Sequence, residues 1–266
     1  MPEQIKQYQF DEVKHRHFLD GKPLTGTSSV GSVMAKGGLT WWASGMACAE
    51  FGWLNPKKHT EKELREKARN GRTKLVDMDI EDYLKLLQKA YYAHSTNLKK
   101  TAKKGTDLHE ELEHFVKGEM GIMPKREYDA KIQPFIEWSN KYVDEFLWSE
   151  AHCYDEGLWV GGISDTGAIL KDGKVAVIDF KSSKDAYLTS YIQSAGYAIQ
   201  IEKNGLWDKT GTRSKNIVKE FDALIIVPFG AEIVVPKIRY DIEALKQGFR
   251  DAVSLYRLVS KEKKTY

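Results

Sequence analysis

Asp165, Asp179 and Lys181 are the residues of this 266-residue chain whose types and spacing best suit chemistry. Carboxylates hold hard divalent cations such as Mg²⁺ or Mn²⁺, which polarise a phosphate and acidify a water. A lysine beside them can orient that water or offset the charge that develops in the transition state. The set therefore suits phosphodiester hydrolysis. Asp-x-Lys alone is more often a surface ion pair. Two features weigh against that reading: an apolar run, Val175–Ile178, leads into the pair, and a second acidic residue stands in the arm expected to fold against it.

The positioning element is a hairpin, GGISDTGAILKDGKVAVIDFKSSK, spanning 161–184. In its second arm Val175, Val177, Asp179 and Lys181 share one face, and Ala176, Ile178 and Phe180 the other. Both faces stay apolar until the last turn of the pleat, so two ionisable groups arrive at the edge of a core, where unpaired charge is costly. Asp172-Gly173 signals the turn and folds Ile163–Leu170 back, bringing Asp165 within about one register step of Asp179. Parity adds a condition. A two-residue turn would set Asp165 opposite Phe180, so the hairpin needs either a bulge, for which Gly167 is the candidate, or an odd-length loop around Asp172.

Around this hairpin the pattern predicts a polar hairpin over 7–30 with an Asp20-Gly21 turn, then the hydroxyls Thr25, Thr27, Ser28 and Ser29, available to cap a helix. An apolar helix should run from Leu39 to about Phe51, and a charged one from Thr60 to Gly71. A third is expected over Ile80–Asn97, running into Lys99, Lys100, Lys103 and Lys104. A separate helix should start at Gly105 with Asp107 and Glu110 at capping-box spacing and His109 in its first turn. An amphipathic helix over Tyr128–Phe146, a strand over Glu150–Tyr154, and a helix over Leu188–Lys203 with Gln193 and Tyr197 on one face follow. Strands over Ala223–Phe229 and Glu232–Tyr240 meet at Gly230, and Asp241 caps a closing helix. The order is helices, then βββαββα.

Several motifs fail or stay bland. His109 and His114 are five apart, about 140° around a helix, which excludes a zinc-protease pair. Gly167 to Gly173-Lys174 has the wrong spacing for a phosphate-binding loop. His109 alone reads as an ordinary helix-end histidine, Gln193 and Tyr197 as helix polarity, the lysine run as a solvated face, and Trp41 and Trp42 most simply as core. Composition sets the frame: 41% hydrophobic residues allow a sizeable core, and a net charge of +3 is near balance with locally uneven charge. Two cysteines, Cys48 and Cys153, are too few for a four-thiolate centre and read as reduced, buried thiols. The polar start and the absence of an 18-residue apolar run predict a cytoplasmic protein without a membrane span.

Taken together, Gly105-Thr106-x-x-His109, Glu150 ahead of Gly161-Gly162-x-x-Asp165, Ile178-Asp179-Phe180-Lys181-Ser182 and Gln193-x-x-x-Tyr197 resemble, in order, the motifs of the PD-(D/E)XK nuclease superfamily. The branch is the RecB-like exonucleases, and motif coverage runs from about 105 to 197. Thr25–Val30 with Trp41 weakly resembles the N-terminal segment of phage and mitochondrial genome-maintenance exonucleases of that branch. The resemblance implies an α/β restriction-endonuclease-like core, a central mixed sheet flanked by helices, over 101–266. An N-terminal, mostly helical elaboration over 1–100 would wall a DNA channel. It implies His109, Asp165, Asp179 and the Phe180 carbonyl as ligands of one or two Mg²⁺ or Mn²⁺ ions, Lys181 as catalytic, and Glu150, Gln193 and Tyr197 in the site. No iron–sulfur cluster is expected, because the four cysteines of some relatives are missing. Lys99, Lys100, Lys103, Lys104, Arg72, Lys74, Trp41, Trp42, Ser182 and Ser183 are the expected DNA contacts. The expected function is a metal-dependent DNA exonuclease in recombination, repair or phage DNA processing, in a bacterial or phage-infected cell. Any helicase or recombination partner would be a separate chain. Rivals are an endonuclease on the same core and a non-catalytic nucleic-acid-binding accessory module.

Overall fold

A computed structural model describes residues 7–34, 39–76, 78–214, 218–230 and 234–262; the side chains of 39, 40, 98–105, 261 and 262 lie outside that description. The chain divides into two compact units, Met1–Met34 with Gly105–Tyr266, and Ala35–Lys104. The boundary expected near residue 100 therefore leaves the first 34 residues on the core side. Strands β1 (Tyr8–Asp11), β2 (Arg16–Leu19) and β3 (Lys22–Pro23) form a three-stranded meander. Asp20 and Gly21, both at positive φ, make the two-residue turn between β2 and β3. β4 (Thr25–Gly26) then joins the main sheet, and α1 (Thr27–Val30) follows with no side-chain cap. Thr27 is instead buried in a hydrogen bond with Gln200.

The helical unit holds α2 (Leu39–Ala49), α3 (Glu61–Val76) and the first part of α4 (Ile80–Glu119). Thr60 and Glu63 form the capping box that starts α3: the Thr60 N–H donates to Glu63 at 2.8 Å and the Glu63 N–H to the Thr60 hydroxyl at 3.4 Å. α3 does not stop at Gly71. That glycine lies against the chain at Phe51–Gly52, where a Cβ would come within 2.4 Å of the Phe51 carbonyl. α4 is one helix of 40 residues where two were expected. A capping box supplies partners for a helix start but does not prevent the preceding turn from supplying them, and no proline interrupts 57–123.

Downstream, α5 (Gln133–Tyr142) is shorter than expected and β5 (Val143–Asp155) correspondingly longer. Pro134 sits in the first turn of α5. Val143 and Phe146 are buried on the strand where they would have continued a helical stripe. β6 (Val160–Leu170), β7 (Val175–Lys181), α6 (Leu188–Asn204), β8 (Ala223–Pro228), β9 (Lys237–Arg239) and α7 (Ile242–Glu262) complete the chain. Part of the strand expected over Glu232–Tyr240 falls in 231–233, outside the described residues; of the described residues 234–240, only β9 is strand. The Asp241 carboxylate pairs with Arg239.

The main sheet is mixed. β5 pairs antiparallel with β6 along its length, and β7 pairs antiparallel with β6 and parallel with β8, which β9 borders antiparallel. β4 pairs parallel with Val160–Gly161, on the edge of β6 that β7 covers farther along. One face packs Val177, Leu224 and Ile226 against Ala195, Ala198 and Ile199 of α6 and Leu245 and Phe249 of α7. The other packs Ala176, Ile178, Phe180 and Ile225 against Leu112, Phe115 and Val116 of α4 and Phe135 of α5. The unit is thus an α/β layer structure with helices on both faces of a mixed sheet.

Candidate functional site

The β6–β7 hairpin meets its parity condition through its loop. The register Thr166↔Ile178 to Ile169↔Val175 leaves Lys171, Asp172 and Gly173 as a three-residue connection, with Gly173 at φ +85°. Extended by one step, that register sets Asp165 across from Asp179. Gly167 is no bulge in this pairing. It makes room for Trp148, whose ring would lie 1.9 Å from a Cβ there. The β5–β6 register, Ser149↔Thr166 and Ala151↔Ser164, likewise sets Glu150 across from Asp165. Glu150, Asp165 and Asp179 therefore form one row over three adjacent strands, and Glu150 holds a left-handed backbone, φ +53°.

At this row the ladder between β6 and β7 ends, and a side chain takes over: the Phe180 N–H donates to Asp165 Oδ2 at 2.6 Å. Asp165 Oδ1 is 3.5 Å from His109 Nε2, and Glu150 Oε1 is 3.8 Å from the same nitrogen. The His109 ring stands edge-on to Phe180. Asp179 is 1% exposed, with the Lys181 amine 2.9 Å from Oδ1 and 2.7 Å from Oδ2. The structure thus brings together His109, Glu150, Asp165, Asp179 and Lys181. Tyr197 is buried beneath Gly162, and Gln193 donates to its hydroxyl at 2.7 Å.

Electrostatics follow from crowding three carboxylates. Burial pushes Asp179 up to about 7, reinforced by Asp165 and opposed by Lys181. Burial and the Asp165 charge likewise raise Glu150 to about 7. Burial alone would depress His109, but the hydrogen bond and charge of Asp165, with Glu150 and Glu113 behind them, outweigh it and lift the imidazole to about 9. For Lys181, too, burial opposes the charge while Asp179 and Asp165 overcome it. Burial next to Asp179 and Asp165 raises the Tyr197 phenol well above its ordinary value.

Such a row is short of cations. The buried Asp179 Oδ2 accepts no well-formed hydrogen bond, and no described donor reaches Glu150 within hydrogen-bond distance. Carboxylate oxygens with spare lone pairs beside an imidazole fit a divalent ion of the Mg²⁺ or Mn²⁺ kind.

Glu113 escaped the motif reading. It stands one helical turn beyond His109, and its ligand atom, His109 nitrogen and Glu150 oxygen all lie within 4.8 Å of one another. The signal was the four-residue spacing from His109, which sets both on one helix face. Lys117, a further turn along, is ion-paired with Glu113.

Ser182 is exposed just past β7; the Ser183 hydroxyl donates to the Asp185 carbonyl at 2.7 Å, closing a local turn. Trp41 and Trp42 are not core. They are 83% and 36% exposed in the helical unit, where Arg72 and Lys74 are also exposed. Lys99, Lys100, Lys103 and Lys104 lie in α4, but their side chains are outside the described residues. Cys153 is buried as expected; Cys48 is exposed. No helix of the described residues is long and apolar enough to cross a membrane. No family model matches the chain, and neither does any curated protein.

Proposed function

We propose that the chain is a divalent-metal-dependent deoxyribonuclease of the PD-(D/E)XK type, in its RecB-like branch, that removes nucleotides from a strand end. The observation that carries this reading is the row Glu150–Asp165–Asp179 across β5, β6 and β7, with Lys181 on Asp179 and His109 on Asp165. His109, Asp165, Asp179 and the Phe180 carbonyl would hold the ion. Bound there, a divalent cation supplies the Lewis acidity that polarises a phosphate and acidifies a water. Lys181, charged and anchored by Asp179, presents its amine to the attacking water or to the negative charge that develops on the phosphorus oxygens. Asp165 is oriented by the Phe180 N–H, and Tyr197 with Gln193 closes the floor. Basic and aromatic side chains of the helical unit, Arg72, Lys74, Trp41 and Trp42, suit a nucleic-acid strand.

The test is cleavage of 5′- and 3′-labelled single- and double-stranded DNA with Mg²⁺, Mn²⁺ or EDTA, beside circular and end-blocked substrates. Metal-dependent shortening from free ends is expected. Cutting of circles would replace the exonuclease by an endonuclease. DNA binding without cleavage under any metal would leave a non-catalytic binding module.

A further inference from the structure

We propose that the first half of α4 pairs with the same segment of a second copy of the chain, as an antiparallel two-helix seam centred on Leu84 and Leu87. The proposal stands independently of the nuclease reading.

Ile80, Leu84, Leu87 and Tyr91 follow one another at spacings of four, three and four, which at about 100° per residue keeps them within about 60° of arc on one face of α4. All four are between 41% and 72% exposed. Single apolar side chains on a surface need no partner, whereas a contiguous row of them marks an interaction site. The row is not the face by which α4 holds its own unit. That face carries the buried Ala90 and Ala93, about 120° around the helix, and Lys89 is ion-paired with Glu50 at 2.7 Å.

The spacing also selects the occupant. A repeat of about 3.5 residues is the pattern by which one helix seats another, and the chain continues it beyond Tyr91 with His94 and Leu98. Pairing between different helices is specified by opposite charges at the positions flanking such a seam. Here those positions are Glu81, Gln88 and Ser95 on one side and Tyr83, Ala90 and Asn97 on the other, so Glu81 alone is charged and a second copy meets little repulsion. A two-fold axis between Leu84 and Leu87 sets Leu84 against Leu87 of the second copy, and Ile80 against its Tyr91. Orientation follows from the lysines farther along the same helix. Parallel pairing would align Lys99, Lys100, Lys103 and Lys104 with their counterparts. Antiparallel pairing separates each from its counterpart by about 40 Å or more along the axis, several screening lengths. A row of about three turns is short of a standard interface, so a dissociation constant on the order of micromolar is expected.

The experiment is sedimentation velocity of the full chain without DNA, from about 1 to 100 µM, to bracket that constant. A monomer giving way to a dimer across the range is expected. Leu84→Glu with Leu87→Glu, which gathers like charges at the centre of the seam, should hold the chain monomeric throughout with an unchanged circular dichroism spectrum. Orientation is read by disulfide trapping in a Cys48→Ser chain, which removes the exposed native thiol. Ile80→Cys and Tyr91→Cys variants should crosslink when mixed and not with themselves. A chain monomeric at every concentration, a dimer that survives the double glutamate variant, or Ile80→Cys trapping itself overturns the proposal. A monomer whose DNA affinity falls with the double variant assigns the row to a nucleic-acid strand and overturns it too. Should the double variant fail to fold, the trapping pattern decides alone.

Discussion

Asp179 and Lys181 stand two residues apart on β7 and in contact, yet the proposed chemistry assigns them separable tasks. Asp179→Ala removes a ligand, so Mn²⁺ titration should show the bound ion lost and single-turnover cleavage lost with it. Lys181→Ala should leave ion and DNA binding intact and slow cleavage by about 10² to 10³. A Lys181→Ala chain that cleaves at the native rate would reduce the pair to an ordinary ion contact. Far from that row, His17 offers a pH test. It is buried against Tyr8, whose hydroxyl is 2.6 Å from its Nδ1, and burial, with His152 and His15 nearby, depresses it to about 3. A histidine depressed on folding contributes stability that is complete above its ordinary value of 6.5 and lost as pH falls from there towards 3. Urea unfolding between pH 7 and 4 should therefore show His17→Gln with a shallower acid loss than the native chain, by up to about 1.4 kcal/mol per pH unit. At this scale the sequence was legible where chemistry and strand alternation coincide, as at Asp165, Asp179 and Lys181. Glu113 was not, because a glutamate in the glutamate-rich HEELEH run looks like helix solvation until β5 is seen beside it.

Two glycines on the same hairpin separate the demands of an element from those of its loop. Gly167 has no space for a Cβ because the Trp148 ring covers it, and Trp148 also donates to Ser164 at 3.3 Å. Gly167→Ala should displace that ring and cost about 1 to 3 kcal/mol or more. Gly173 has open space and a positive φ, so Gly173→Ala should cost only the backbone strain, about 1 to 2 kcal/mol. Denaturant midpoints would rank the two, and the opposite order would contradict the Trp148 account. The hairpin, its odd loop, α6 and α7 could be read from turn residues and periodicity. The continuity of α4 and the early onset of β5 could not, because a capping box marks a permitted start and not an obligatory one, and Val143–Phe146 fits either period.

Over the whole molecule, charge is divided unequally: Ala35–Lys104 holds fifteen Lys and Arg against eight Asp and Glu, in a chain whose net charge is only +3. Changing Lys99, Lys100, Lys103 and Lys104 to Glu should weaken DNA binding and lower the slope of log affinity against log salt by up to about 4. A folded quadruple variant with the native slope would make the lysines a solvated cluster. Sequence order hid how the first 34 residues belong to the core, since Thr25↔Val160 and Gly26↔Gly161 are parallel pairs across more than a hundred residues and no local pattern announces them.

The tryptophans give each unit its own optical signal. Trp41, Trp42 and Trp53 of the helical unit are 83%, 36% and 43% exposed, whereas in the sheet-bearing unit Trp148 is 4% exposed and Trp138, Trp159 and Trp207 are half-buried. Emission from the first three should be red-shifted and readily quenched by iodide, an anion drawn to their basic surroundings. Trp148 should emit to the blue and resist quenching. Recording both bands during one thermal ramp would then show whether the helical unit melts with the sheet that carries the carboxylate row or independently of it.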